Sequence, residues 1–138
     1  MEKYIYLCCV LFLFSCANIV PLSGGEKDND GPEVINTFPQ NLSTYFDDNT
    51  IIIEFDEYVK LNNINNIRLA PSCDKSPEIK IVGKRLYINF LCQLIQNTTY
   101  SINFSQKIKD LNEGNLLKDY SFIFSTGAYV DSLSISGN

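Results

Sequence analysis

Glu78-Ile79-Lys80-Ile81-Val82-Gly83-Lys84-Arg85-Leu86-Tyr87-Ile88-Asn89-Phe90 alternates apolar and polar residues on both sides of Gly83-Lys84. A period of two is that of a strand with one buried face. Gly at the first of two central turn positions suits a type II′ hairpin. Pairing Val82 with Arg85 sets Ile79 opposite Ile88 and Ile81 opposite Leu86, so one face of the hairpin is apolar throughout. Carried outward, the same register makes Cys73 and Cys92 diagonal neighbours on one face. A bridge there would close a loop of about 20 residues and contribute about 3 kcal/mol through the unfolded chain. Pro77 can break the ladder before Cys73, which leaves two separate buried thiols as the alternative.

Further outward the pattern repeats. Val34 to Phe38 reads as a strand stopped by Pro39-Gln40-Asn41, and Thr50 to Val59 as one that puts Ile51, Ile53, Phe55 and Val59 on one face. Ile64 to Ala70 is the next. Thr99 to Phe104 points Tyr100, Ile102 and Phe104 inward, and Tyr120 to Phe124 does the same with Tyr120, Phe122 and Phe124. No stripe at helical spacing competes. The fold class is all-β: about seven short strands between Gly31 and Gly127 have the rhythm of an Ig-like antiparallel β-sandwich. Leu94, six residues before Tyr100, has the form of a tyrosine corner in which the phenol hydroxyl caps an upstream carbonyl, with an ordinary core tyrosine as the alternative.

Composition excludes whole classes of function. The 138 residues hold five cysteines, no histidine and no tryptophan, with a net charge of −5. Without imidazole there is no His-dependent triad or HExxH zinc site. Lys and Arg are scattered singly and neither GxxxxGK[ST] nor GxGxxG occurs, so no nucleic acid, no nucleotide and no other cofactor is expected.

The N-terminus is different in kind. Lys3 precedes an apolar run from Tyr4 to Phe14, shorter than the roughly 20 residues a spanning helix needs and within the 7 to 15 of a signal-peptide core, both approximate. Leu13-Phe14-Ser15-Cys16 resembles a bacterial lipobox. That resemblance implies a diacylglycerol thioether on Cys16, cleavage before it and acylation, as by palmitate, of the new amino end. The expected organisation is a signal-peptide helix over 1–15, lipidated Cys16 and a flexible tether over 16–30, the Ig-like domain over 31–127 and a tail over 128–138. Surface-exported lipoproteins of the Bacteroidota type carry acidic residues directly after the lipidated Cys, whereas here, after Cys16, they begin only at Glu26, so the resemblance favours the periplasmic face of the outer membrane.

Gly31-Pro32, Phe38-Pro39, Ile53-Glu54-Phe55-Asp56-Glu57-Tyr58-Val59, Leu94 to Tyr100, Asp110-Leu111-Asn112-Glu113-Gly114-Asn115 and Phe122-Ile123-Phe124-Ser125-Thr126-Gly127 occur in order. Together they resemble the SbsA-type bacterial Ig-like domain. With Cys16 and Gly24-Gly25-Glu26-Lys27-Asp28 added, the chain is similar to the N-terminal part of Bacteroidota Ig-like lipoproteins, relatives of which continue into further domains. The resemblance implies a non-enzymatic structural or binding module, held to the membrane by its lipid, with an unidentified envelope protein or glycan as partner. Asp110 then accepts backbone N–H bonds in a turn for which Gly114 supplies positive φ.

The acidic residues raise two other functions. A calcium-stabilised adhesion domain would use Asp110 to Asn115, but an EF-type loop needs Asp or Asn at its fifth position and Glu at its twelfth, where Gly114 and Ser121 stand; no metal site is expected. An envelope glycan hydrolase would need two facing carboxylates. Asp47-Asp48 and Asp56-Glu57 are the close pairs, and neighbours on a strand point to opposite faces, so Asp56 and Glu57 do not form such a pair; no catalytic residue is expected. Asp131-Ser132-Leu133 is similar to the O-glycosylation motif of Bacteroidota periplasmic proteins.

Overall fold

The computed structural model describes residues 25–62 and 67–131. The expected signal peptide, Cys16 and the first part of the tether lie outside the described residues, as do Ile64 and most of the tail. The described strands are β1 (Val34–Phe38), β2 (Thr50–Phe55), β3 (Val59–Leu61), β4 (Leu69–Ala70), β5 (Glu78–Val82), β6 (Arg85–Asn89), β7 (Thr99–Asn103), β8 (Ile108–Asp110) and β9 (Ser121–Ser125). No helix occurs among the described residues.

One sheet runs β1-β2-β6-β5, a second β4-β7-β9, and β3 pairs with β8 as a ribbon; every pairing between these strands is antiparallel. In chain order the two sheets are the A-B-E-D and C-F-G layers of a constant-type Ig sandwich. The β5–β6 hairpin has the register expected from its alternation, Ile79 opposite Ile88 and Ile81 opposite Leu86. Gly83 takes φ 65° while Lys84 stays out of the left-handed region, as a II′ turn requires.

Between the layers lies one core. Ile51, Ile53 and Phe55 of β2 and Leu86 and Ile88 of β6 are fully buried with Ile102, Phe122 and Phe124 of the second sheet. Burying each such side chain contributes about 1.5–3 kcal/mol before chain entropy is subtracted. Phe124 packs at 4.4 Å from Phe46, 5.6 Å from Phe90 and 5.4 Å from Tyr100, closing one end of the sandwich.

The structure departs from the expected strands in four places. Thr50 to Val59 is two strands: beyond Phe55 neither neighbour continues, since β1 begins at Val34 and β6 at Arg85. Asp56 there bonds Glu33 through both its amide, at 3.1 Å, and its carboxylate, at 2.8 Å, and the chain leaves to pair with β8. Ile67 and Arg68 are outside any ladder, so the described part of the Ile64 to Ala70 strand is β4 alone; Ile67 is buried by packing without pairing. β9 begins one residue after Tyr120, which is only half-buried. β8 was not anticipated, being three residues long with no alternation to distinguish it.

One segment serves both layers. After β1, Leu42 N–H bonds Ile123 O at 2.7 Å, Ser125 N–H bonds Ser43 O at 2.9 Å and Phe46 N–H bonds Ser125 O at 2.9 Å. Residues 42–46 thereby run parallel to β9 and cover its free edge.

Candidate functional site

Three groupings of polar and aromatic residues emerge from this frame. The first lies where the hairpin opens. Cys73, before β5, and Cys92, after β6, form a disulfide with Cα atoms 6.2 Å apart. Beside it the Tyr100 hydroxyl accepts the Ile95 N–H at 2.8 Å, with Tyr100 only 1% exposed. The expected carbonyl cap is therefore corrected to an amide. The Ile95 carbonyl accepts the Thr126 hydroxyl at 2.7 Å, so side chains satisfy both backbone polar groups of Ile95. Asp47 and Asp48 line an open cavity of about 380 Å³ here with Phe46, Cys92, Leu94 and Asn97.

The second grouping is acidic and lies at the end where the chain enters the sandwich. Asp110, at the end of β8, exposes no surface; its Oδ1 accepts the Gly114 N–H and its Oδ2 the Asn115 N–H, each at 2.7 Å. Burial pushes the Asp110 carboxyl up, but the N–H groups of Gly114, Asn115 and Glu113, with Lys60 nearby, outweigh it and hold the group below the ordinary carboxylate value. Gly114, at φ 84°, makes the turn. Both carboxylate oxygens are engaged by the loop's own backbone. Among the described residues no group of three or more His, Cys, Asp or Glu is arranged to hold a metal ion.

The same loop seats the incoming chain. Asn115 donates its side-chain amide to Asp28 O at 3.1 Å, and a Cβ on Gly31 would overlap the Leu116 carbonyl oxygen. Only glycine allows that approach. Glu57 stands over this crowd of acids. Partial burial first, then the charges of Asp110, Asp56, Asp28 and Glu113, push its carboxyl above the ordinary value. Asp56 strapping Glu33 is a structural contact, and its backbone carbonyl also accepts Lys84 Nζ at 2.6 Å.

The third grouping is the outer face of the four-stranded sheet. Ile51 and Ile53 point into the core, so Ile52 points out. Its cross-strand neighbours complete a row Phe38–Ile52–Tyr87–Lys80 over β1, β2, β6 and β5. The next row is Asn36–Glu54–Arg85–Val82, in which Arg85 grips Glu54 at 2.9 and 3.0 Å. On the other side Thr50 Oγ1 donates to Asn89 Oδ1 at 2.9 Å. Phe38 is 63% exposed. Ile52 and Tyr87 follow as outward positions from the alternation of their own strands, but the sequence reading assigns no face to Phe38, and the row depends on β1 lying beside β2.

A family model described as a bacterial Ig-like domain matches residues 28–126. It begins at Asp28, the residue whose carbonyl the Asn115 side chain holds. No curated protein matches the chain.

Proposed function

This chain belongs to the bacterial Ig-like domain family, and from that premise we propose that it is a non-enzymatic structural or binding module of the bacterial cell envelope, lipid-anchored through Cys16. The observation that carries the non-enzymatic reading is where the polar groups are spent. Asp110 holds its own loop, Asp56 holds the start of β1, and Tyr100 holds Ile95, so the residues best placed for chemistry are bonded to backbone. Catalytic groups need free lone pairs or protons aimed at a substrate, which these three do not offer; Glu57, Asp47 and Asp48 are not engaged in this way.

The anchor rests on Leu13-Phe14-Ser15-Cys16 and the short apolar run before it. Two or three acyl chains, at about 0.8 kcal/mol per buried CH₂, hold a protein on a bilayer durably. Fully extended, residues 16 to 28 reach at most about 45 Å, which bounds how far the sandwich stands off the membrane. The periplasmic face of the outer membrane is the proposed location, and a net charge of −5 suits solubility beside an anionic surface.

Cys16→Ala tests the anchor. The wild-type chain incorporates labelled palmitate and sediments with the outer membrane; the variant loses the label and leaves the membrane fraction. A variant that stays there overturns lipidation. Crosslinking of the anchored chain in intact cells, followed by identification of what is captured, tests the module reading.

A further inference from the structure

We propose that the outer face of the β1-β2-β6-β5 sheet is a saccharide platform, on which Phe38 and Tyr87 stack against alternate rings of an uncharged, β-1,4-linked glycan chain. This deepens the reading of the domain as a binding module and rests on it.

The argument begins with what the face does not need. The inward residues of the same strands already complete the core, so a phenylalanine 63% exposed on β1 adds nothing to it. The solvated side of an antiparallel sheet is ordinarily polar. Here Phe38, Ile52 and Tyr87 interrupt that pattern in a single cross-strand row. Phe38 is exposed and Ile52 and Tyr87 are half-buried beside it, and an apolar strip set among polar residues marks a contact surface.

Its dimensions and chemistry favour a sugar chain. Phe38 and Tyr87 are two strand intervals apart, about 9.6 Å, close to the repeat of every second ring in an extended β-1,4-linked polymer, whose equatorial substituents leave the ring C–H groups free to meet an aromatic face. Flanking that strip are planar hydrogen-bonding groups: the amides of Asn36 and Asn89 and the Glu54–Arg85 pair, itself already oriented by two bonds. Sugar hydroxyls can replace water on these groups.

Charge supports the same occupant. Glu54 and Glu78 are matched on this face by Lys80 and Arg85, so the face is neutral in a chain of net charge −5. A neutral platform complements an uncharged ligand. A protein covering the same face would have to strip water from the Glu54–Arg85 pair, a cost its Coulomb energy seldom repays, whereas a hydroxylated chain solvates that pair as it binds.

The test is calorimetric titration of the full lipidated chain in detergent micelles with cellohexaose and xylohexaose, and with maltohexaose, whose α-linkages coil the chain. The expected result is binding of at least one β-linked hexasaccharide in preference to maltohexaose. Phe38→Ala and Tyr87→Ala should each weaken it by about tenfold, Phe38→Tyr should preserve it, and Tyr45→Ala, an exposed aromatic off this face, should leave it unchanged. Unaltered melting temperatures show that the variants are folded. Wild-type chain that binds none of the three sugars overturns the proposal, as does equal binding by Phe38→Ala and Tyr87→Ala. If Phe38→Ala instead abolishes a concentration-dependent dimer and no sugar binds, the face is a self-association surface and the proposal falls. Capture of an envelope protein by a chain that binds no saccharide would sink the platform and leave the module reading standing.

Discussion

Replacing Tyr100 by Phe removes one oxygen and almost nothing else. The ring remains stacked on Phe124 at 5.4 Å and an interplanar angle of 17°, so the packing contribution is conserved. What disappears is the 2.8 Å bond to the Ile95 N–H, and with it the acceptor of that amide. An orphaned donor in a fully buried site costs about 1–3 kcal/mol. This bond is part-buried and Ile95 itself is 62% exposed, so water can partly reach the amide. That places the expected loss at about 1–2 kcal/mol. For a domain of this size each kcal/mol lowers the melting temperature by about 4–8 °C, giving a fall of about 5–15 °C. Urea unfolding of the full chain in detergent, followed by circular dichroism, should show a lower midpoint with an unchanged m-value. Tyr100→Ala, which also empties the ring's place, should cost about 3–5 kcal/mol. A Tyr100→Phe chain within about 0.3 kcal/mol of wild type, well below the range for a lost bond, would refute the corner as a stabilising contact.

Three further outcomes are expected. Reducing the Cys73–Cys92 bridge, sequence separation 19, should cost about 3 kcal/mol through loop-closure entropy and add two hydrogens by mass; unfolding curves indistinguishable with and without reductant would contradict it. Asp110 and Glu57 should show opposite pH behaviour. Because the Asp110 carboxyl is held below its ordinary value, its contribution to stability is fully present above that value and is lost as pH falls through the lower folded one; Asp110→Asn should destabilise most at neutral pH and flatten the acid limb. Glu57, held above its ordinary value, opposes folding once ionised, so Glu57→Gln should stabilise near neutrality and the gain should vanish as pH drops below the raised value; melting curves across pH that show neither trend would remove the assignment. Gly31→Ala should force the incoming chain off Leu116, costing about 1–3 kcal/mol by overpacking, and an unaltered urea midpoint would show that the loop yields freely.

The hairpin at residues 78–90 was legible in full, since a two-residue turn and a period of two leave a single register with an unbroken apolar face. The inward residues of β2, β7 and β9 followed from the same alternation, whereas Phe46, Ile108 and Leu117, which complete the core, lie in segments without it. The turn at Asp110 to Asn115 was implied by the family resemblance, and the structure shows the aspartate bonded to its own loop backbone, a local event. Less could be read wherever the outcome depended on a neighbour remote in sequence. The end of β2 at Phe55 is set by where β1 and β6 stop, and β3 and β8 are strands because each supplies the other's hydrogen bonds, with residues 115–117 bonded along the other edge of β8.

The sequence by itself therefore determined the all-β class, the inward residues and the hairpin register, because each follows from side-chain alternation along a single strand. The tertiary structure alone decided that Tyr100 meets an amide, that Gly31 lies against Leu116, and that Phe38, Ile52 and Tyr87 share one row. Each of those depends on how distant segments are brought side by side. Pairing across a sheet is chosen by the whole set of backbone donors and acceptors at once, and no single strand carries that information.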